Sequence, residues 1–343
     1  MSRRALIVGV SGQDGAYLSQ LLLDKGYEVH GATRRTSGSP ETRLAELGIA
    51  DQVRLHYLDL LELTNIRRVL DRVAPDEVYN LAAQSFVSAS FEQPLLTADI
   101  NAMGALRLLE CLRDTGSAAR FYQASTSEMF GNIPIRPQDE ETPFHPRSPY
   151  GVAKVFAHSA TVNYREAYGM HASSGILFNH ESPLRGPEFV TRKITMGLAR
   201  LARGDGPPVA LGNLEAQRDW GFAGDYVEGM WRMLQQDAAG DYVLATGVST
   251  SVRTFVEYAA RPLGLNMAWR GSGRDEEGFD TGTGRCLVRI DAAFWRPAEV
   301  DYLIGNPAKA ESVLGWAPQV DVRTLAEMMA ETDLRRLTAT AVR

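Results

Sequence analysis

The sequence predicts an α/β protein: a doubly wound parallel sheet with a smaller C-terminal lobe. Three observations carry this. Apolar runs without alternation recur along the first half, as strands buried on both faces require. Amphipathic segments separate them, so each strand leads through a helix to a parallel neighbour. After about residue 180 the rhythm breaks, glycine and proline become more frequent, and arginines appear at intervals.

The elements follow in order. Ala5-Leu6-Ile7-Val8-Gly9-Val10 is a continuous apolar run and reads as the first strand. Gly9, Gly12 and Gly15 form a G-x-x-G-x-x-G turn, and the helix after it runs to Lys25, where Gly26 stops it. Tyr27 to Thr33 reads as the second strand and Arg54 to Tyr57 as the third. A helix over about Leu63 to Val73 precedes a fourth strand, Glu77 to Leu81. A long helix covers about Thr97 to Asp114, and Arg120 to Ser125 is the next strand. The helix carrying Tyr150 runs to about Tyr168, and Ala172 to Phe178 is the sixth strand. The expected division is a dinucleotide-binding domain over residues 1–180 and a substrate lobe over 181–343, with some segments returning to the first sheet. Ligands of such sheets bind beyond the carboxyl ends of the strands, which places Gly9, Ala83, Gln84, Ser125, Thr126 and Asn179 around one crevice. The glycine-rich, charged stretch Gly271 to Gly284 reads as a mobile surface loop.

Composition narrows the function classes. A chain of 343 residues, 44% hydrophobic, can bury a large core. A net charge of −6 argues against general nucleic-acid binding. Cys111 and Cys286 are far apart and offer neither metal spacing nor a disulfide framework, which fits a reducing compartment. The N-terminus runs straight into a short strand, and no later run reaches about 18 apolar residues, so no signal segment or membrane span is expected. The expectation is a cytoplasmic protein without a metal.

The chemistry is written in Tyr150-Gly151-Val152-Ala153-Lys154. Residues four apart share a helix face, and a lysine cation beside a phenol favours the phenolate. Bringing a phenol from about 10 to about 7 needs roughly 4 kcal/mol, which one ammonium and a cationic nicotinamide can supply in a dry pocket. That pairing suggests redox chemistry at an alcohol, with Thr126 as a hydroxyl donor. Such chemistry does not need a carboxylate, yet Glu128 follows the same strand. It suggests a second proton transfer, such as abstraction alpha to a new ketone; a helix-start glutamate is the structural alternative. The glycine turn lets backbone N–H groups approach a pyrophosphate at the following helix N-terminus. After the second strand the chain has Arg34 and Arg35 where an NAD enzyme would carry an acid, so NADP is the expected cofactor. Asp59 after the third strand reads either as an adenine contact or as a capping aspartate.

At these residues the chain resembles the extended short-chain dehydrogenases, and among them the GDP-mannose 4,6-dehydratase family. The most specific stretches are Gly12 to Gly15, Leu81 to Ser85 (LAAQS), Phe121 to Glu128 (FYQASTSE), Pro146 to Lys154 (PRSPYGVAK), Asn179 to Gly186 (NHESPLRG), Phe189 to Lys193, Arg218 to Trp220 and Arg296 to Asp301. Ser127-Glu128 stands where other nucleotide-sugar dehydratases carry Asp-Glu. The resemblance implies a Rossmann domain and an overall conversion of GDP-mannose to its 4-keto-6-deoxy derivative plus water. It implies that Tyr150 deprotonates O4 as hydride leaves C4 for NADP, Thr126 hydrogen-bonds O4, and Lys154 lowers the tyrosine pKa. Glu128 would take the C5 proton and help expel the C6 hydroxyl, and the hydride would return to C6. It further implies cofactor contacts from Gln13, Asp14, Leu60, Leu81, Ala83, Gln84, Ser85, His180 and Arg185. Ser85, Ser127, Asn179, Val190, Lys193, Arg218, Arg296 and Glu299 would join Thr126 and Glu128 at the substrate. A dimer or tetramer is implied, with the Arg35 loop reaching a neighbouring subunit near its cofactor. The chain departs from the usual family pattern at Val8, Leu58 and Leu96. A nucleotide-sugar 4-epimerase or 4-keto reductase is the rival enzyme, needing the Tyr-Lys pair but not Glu128; an NADP-sensing module is the non-enzymatic rival.

Overall fold

In the computed structural model, residues 2–35, 41–294 and 302–341 are described. The chain divides into two units, Met1–Phe178 with Ala223–Ala245 and Gly305–Ala317, and Asn179–Phe222 with Thr246–Ile304 and Pro318–Arg343. The strands, in chain order, are β1 (Arg4–Val8), β2 (Glu28–Thr33), β3 (Arg54–Tyr57), β4 (Glu77–Asn80), β5 (Arg120–Thr126), β6 (Ala172–Leu177), β7 (Asn179–Glu181), β8 (Val209–Leu211), β9 (Gln217–Phe222), β10 (Asp241–Leu244), β11 (Ser249–Ser251), β12 (Met267–Arg270), β13 (Glu277–Asp280) and β14 (Cys286–Ile290).

The first unit is built on a parallel sheet in the order β10-β6-β5-β4-β1-β2-β3. β1 lies between β2 and β4, with Ile7 opposite Gly31 on one side and Tyr79 on the other. That central place explains its unbroken apolar run. The order reverses at β1: β2 and β3 extend to one side and β4, β5 and β6 to the other, a topological switch point. β10 returns after a long excursion to pair with β6, Asp241 opposite Ser174. One face is covered by the Leu63–Val73 and Gly104–Asp114 helices, whose Ile66, Leu70, Val73, Leu108 and Leu112 pack against Leu6, Val8, Val78 and Phe121. The long helix expected over Thr97 to Asp114 is interrupted by a π-helical turn, Asp99–Met103.

The second unit contains a three-stranded sheet, β11-β9-β7, and a four-stranded sheet, β12-β13-β14-β8. Its core gathers Ile194, Leu198, Trp220, Phe255, Leu325 and Met329. Here the reading of Gly271 to Gly284 as a loop is corrected: Glu277–Asp280 is β13, paired on both edges. Gly278 is there for packing, since a Cβ would stand 2.7 Å from Met267 Cε and 3.0 Å from the Trp269 ring. Asp280 closes the turn that follows, accepting hydrogen bonds from the Asn266 N–H at 2.9 Å and the Thr283 hydroxyl at 2.6 Å. Cross-strand closeness accounts for Gly278, while Gly273 and Gly284 take positive φ with open space around them, as turns favour.

Among the described residues no helix is long and apolar enough to cross a membrane, and no group of three or more His, Cys, Asp or Glu could hold a metal ion.

Candidate active site

In the first unit the glycine turn has the shape of an anion cradle. Gly9 has φ +94°, and a Cβ there would stand 2.7 Å from the Ala82 nitrogen. A Cβ on Gly15 would stand 2.5 Å from the Gly9 carbonyl oxygen, so the helix can start against the turn only with glycine. Gly12 caps the Gln13–Asp24 helix without a side-chain hydrogen bond, and a Cβ on it would meet only the Gly9 carbonyl, at 3.4 Å. Its side is therefore open and the first N–H groups carry no side-chain cap, which suits a pyrophosphate. Gln13 is buried and Asp14 lies in the first turn.

Arg34 and Arg35 are exposed directly after β2. A third arginine, unremarked in the sequence, joins this end: Arg43 Nη1 donates to the Ser11 carbonyl at 2.8 Å. Asp59 closes a turn, its Oδ1 accepting the Leu61 N–H at 3.0 Å. Leu60 is buried, and its carbonyl accepts Arg107 Nη1 at 3.2 Å. Leu81 continues the ladder to the Val8 carbonyl at 2.9 Å. Ala83 and Gln84 are half-buried and Ser85 is exposed. The π-helical turn explains its place here. Its buried Asn101 accepts the Gln84 N–H at 2.8 Å and donates to the Gln84 carbonyl at 3.0 Å, bracing the loop. Gln84 Oε1 is a buried acceptor that no described protein group engages. With the open glycine turn, it makes the residues present fit a dinucleotide.

The Pro149–Tyr168 helix starts on Ser148, whose Oγ accepts the Gly151 N–H at 3.0 Å, with proline at the first position. Gly169 ends it at φ +65°. Tyr150 and Lys154 lie on its buried face, 8% and 3% exposed. Lys154 Nζ donates to the Ala124 carbonyl at 2.7 Å and lies 5.8 Å from the Tyr150 ring centroid. Burial pushes the lysine pKa down to about 8. Thr126 ends β5, and its Oγ1 accepts the Glu128 N–H at 3.3 Å. Ser127 is buried and Glu128 half-buried. Gly151 lets the helix start touch this strand end, because a Cβ there would stand 2.8 Å from the Glu128 carbonyl oxygen. A tyrosine, a lysine, a threonine hydroxyl and a glutamate thus come from two adjoining elements. Ser125, expected at the crevice, and His158, which the sequence reading passed over, form a buried hydrogen bond beside them at 3.0 Å.

In the second unit Asn179 and His180 open β7 opposite Trp220 and Gly221. Arg185 pairs with Glu181 at 3.1 Å and stacks 3.5 Å from the Phe189 ring centroid. Buried Arg192 joins Asp333 at 2.7 Å and donates to the Pro183 and Arg185 carbonyls, so the C-terminal helix fixes the NHESPLRG segment. Val190 is exposed at the start of the Val190–Ala202 helix. Lys193 Nζ lies 3.1 Å from the Phe294 ring centroid, and burial lowers its pKa. Arg218 is on β9, beside Asp219, whose buried carboxylate accepts the Thr246 hydroxyl at 2.6 Å and the Gly247 N–H at 3.0 Å. Arg296 and Glu299 lie outside the described residues.

A family model described as GDP-mannose 4,6 dehydratase matches residues 6–329. The GDP-mannose 4,6-dehydratase of Sinorhizobium fredii is 54% identical over 343 residues, covering 98% of each chain. The solved dTDP-glucose 4,6-dehydratase of Streptomyces venezuelae, with NAD bound, superimposes with a TM-score of 0.80 at 24% identity, covering 98% of both chains. A Pseudomonas aeruginosa protein solved with NADPH, titled RMD, gives a TM-score of 0.76 at 22% identity, covering 98% of this chain and 100% of that one. These structural likenesses carry the fold, a Rossmann-type parallel sheet.

Proposed function

The chain belongs to the GDP-mannose 4,6-dehydratase family, and on that premise we propose how its residues convert GDP-D-mannose to GDP-4-dehydro-6-deoxy-D-mannose and water. The arrangement that supports this is the buried Tyr150–Lys154 face set against the Thr126–Glu128 strand end. Tyr150 takes the proton of the C4 hydroxyl, and Lys154 favours the phenolate that does so. Thr126 donates a hydrogen bond to O4. A ketone at C4 acidifies the C5 hydrogen, and Glu128 accepts that proton and delivers it to the departing C6 hydroxyl, which leaves as water. The bound nicotinamide nucleotide would supply the hydride acceptor at C4 and the donor at C6, and Tyr150 would return its proton to C5 as C6 is reduced, so both side chains end as they began and the reaction is a lyase reaction without net redox.

NADP is the form the arginines favour. A 2′-phosphate suits guanidinium forks, and Arg34 and Arg35 stand where an acid would hold a free ribose hydroxyl. Arg43, held at the glycine turn, adds a third positive charge. Asn179, His180, Arg185, Val190, Lys193 and Arg218 of the second unit, with Arg296 and Glu299, serve the nucleotide sugar and cofactor. We place the enzyme in the cytoplasm as a homo-oligomer.

The test is incubation with NADP and GDP-mannose, with UDP- and dTDP-hexoses in parallel, followed by mass spectrometry. Loss of one water from GDP-mannose alone, with no NADPH accumulating, is the expected result. Isomerisation without water loss would move the assignment to an epimerase.

A further inference from the structure

The mechanism uses two of three polar residues on one helix face. Tyr150, Lys154 and His158 follow one another at four-residue spacing, and His158 is 7% exposed. Its Nδ1 lies 3.0 Å from Ser125 Oγ, and the Phe144 ring stands edge-on at a centroid distance of 5.1 Å. Burial pushes the imidazole pKa below its ordinary value; Asp241 raises it and Arg165 lowers it, and those two are themselves paired at 2.6 Å. The neutral ring and the serine hydroxyl share one hydrogen in either tautomer.

The partners are adjacent where it matters. Ala124 offers the carbonyl that holds Lys154, and Ser125, the next residue, holds His158 one helical turn further on. Ala153 and Ala157 on the same buried face are small, and apolar packing through such residues is non-directional. The Ala124 carbonyl is shared, since Gln123 Nε2 also donates to it at 2.9 Å. The bond between the buried side chains of Ser125 and His158 is directional and ties the helix to β5 a second time, one turn on.

We propose that His158 is a positioning residue: through Ser125 it holds this turn of the helix on β5 and so keeps the Lys154 ammonium at the Ala124 carbonyl, beside the Tyr150 phenol. The inference rests on the catalytic reading of Tyr150 and Lys154. Without the bond this turn loosens on Ala124 and Ser125, the ammonium is held less firmly beside the phenol, the phenolate becomes harder to form, and turnover needs a higher pH.

The experiment is the pH profile of kcat for the full chain with NADP and GDP-mannose, comparing wild type with His158→Leu, His158→Asn, Ser125→Ala, the double variant His158→Leu/Ser125→Ala, and Tyr150→Phe. For His158→Leu we expect the ascending limb to move up by about one pH unit and kcat at neutral pH to fall about tenfold, with KM changed less than about twofold. Asparagine at 158 presents a polar atom near the Nδ1 position and should bring the limb back. Ser125→Ala should reproduce the shift and the double variant add nothing further. A limb that stays in place in His158→Leu and Ser125→Ala while Tyr150→Phe is inactive overturns the inference and leaves the mechanism standing, even where kcat falls in step with melting temperature. An active Tyr150→Phe variant brings both down. Ser125→Ala, which deletes a single heavy atom, decides the matter if His158→Leu fails to fold.

Discussion

Burying a lysine costs free energy, and Lys154 shows where that cost falls in pH. Its pKa goes from 10.5 down to about 8, because burial disfavours the cation. Below pH 8 both folded and unfolded chains carry the proton, and the folded state bears the whole cost. Between about 8 and 10.5 the folded lysine releases its proton first, so stability rises with pH through that window. Lys154→Met should therefore stabilise the cofactor-free protein at pH 7, by an amount on the order of 3 kcal/mol at most, and the gain should vanish towards pH 10.5. Urea unfolding at the two pH values measures it; equal stability at both would remove burial as the cause. Glu128 carries the opposite kind of expectation. Glu128→Gln should lower dehydration by about a hundredfold or more while GDP-mannose and NADP still bind, read by product mass and by calorimetry. Tyr150, Lys154 and Glu128 were legible because each is defined by spacing to a near neighbour. His158 with Ser125, Asn101 with Gln84 and Arg43 with Ser11 were not, since their partners lie 33, 17 and 32 positions away and only packing selects them.

Elements were legible where one local rule decided them. Arg54–Tyr57 and Leu63–Val73 have the bounds their apolar pattern and flanks indicate. The return of β10 beside β6 was legible only as some later segment rejoining the sheet, because pairing partners across a long excursion leave no local trace. Gly278 misled for a related reason: a residue kept small by a tryptophan on the paired strand looks, in sequence, like one kept small for a loop. At the start of the Pro149–Tyr168 helix two small residues do different work. Ser148→Ala removes a cap and should cost about 1 kcal/mol in denaturant unfolding with kcat nearly unchanged. Gly151→Ala drives a methyl against the Glu128 carbonyl, and the cheapest relief is to move that strand end. It should lower kcat about tenfold or more at a similar stability cost, since small misplacements of reacting groups are expensive. Parallel losses in both variants would show that the helix start supports the fold and not the geometry of Glu128.

Over the whole molecule, the surface feature that remains to be explained is apolar. Phe91, Leu95, Leu96 and Met103 are exposed on the short helices and π-helical turn between Val87 and Met103, and Leu95 is 84% exposed. Val152 and Phe156, four apart, are exposed on the Pro149–Tyr168 helix that packs against those segments. Scattered apolar side chains need no explanation, but neighbouring helical segments exposing short rows of them do. The Pro149–Tyr168 helix carries Tyr150 and Lys154 on its buried face, so a partner over Val152 and Phe156 would also steady that face. On the homo-oligomeric reading proposed above, the occupant is a second copy of the chain. The wild-type protein should therefore run as a dimer or larger in light scattering at micromolar concentration. Leu95→Glu with Phe156→Glu should shift it towards monomer, because each carboxylate would have to be buried at the interface without a partner. If the rows serve assembly, kcat should recover with rising concentration of the double variant as dimers re-form. A wild-type monomer, or a double variant of unchanged mass, would mean that the interface lies elsewhere.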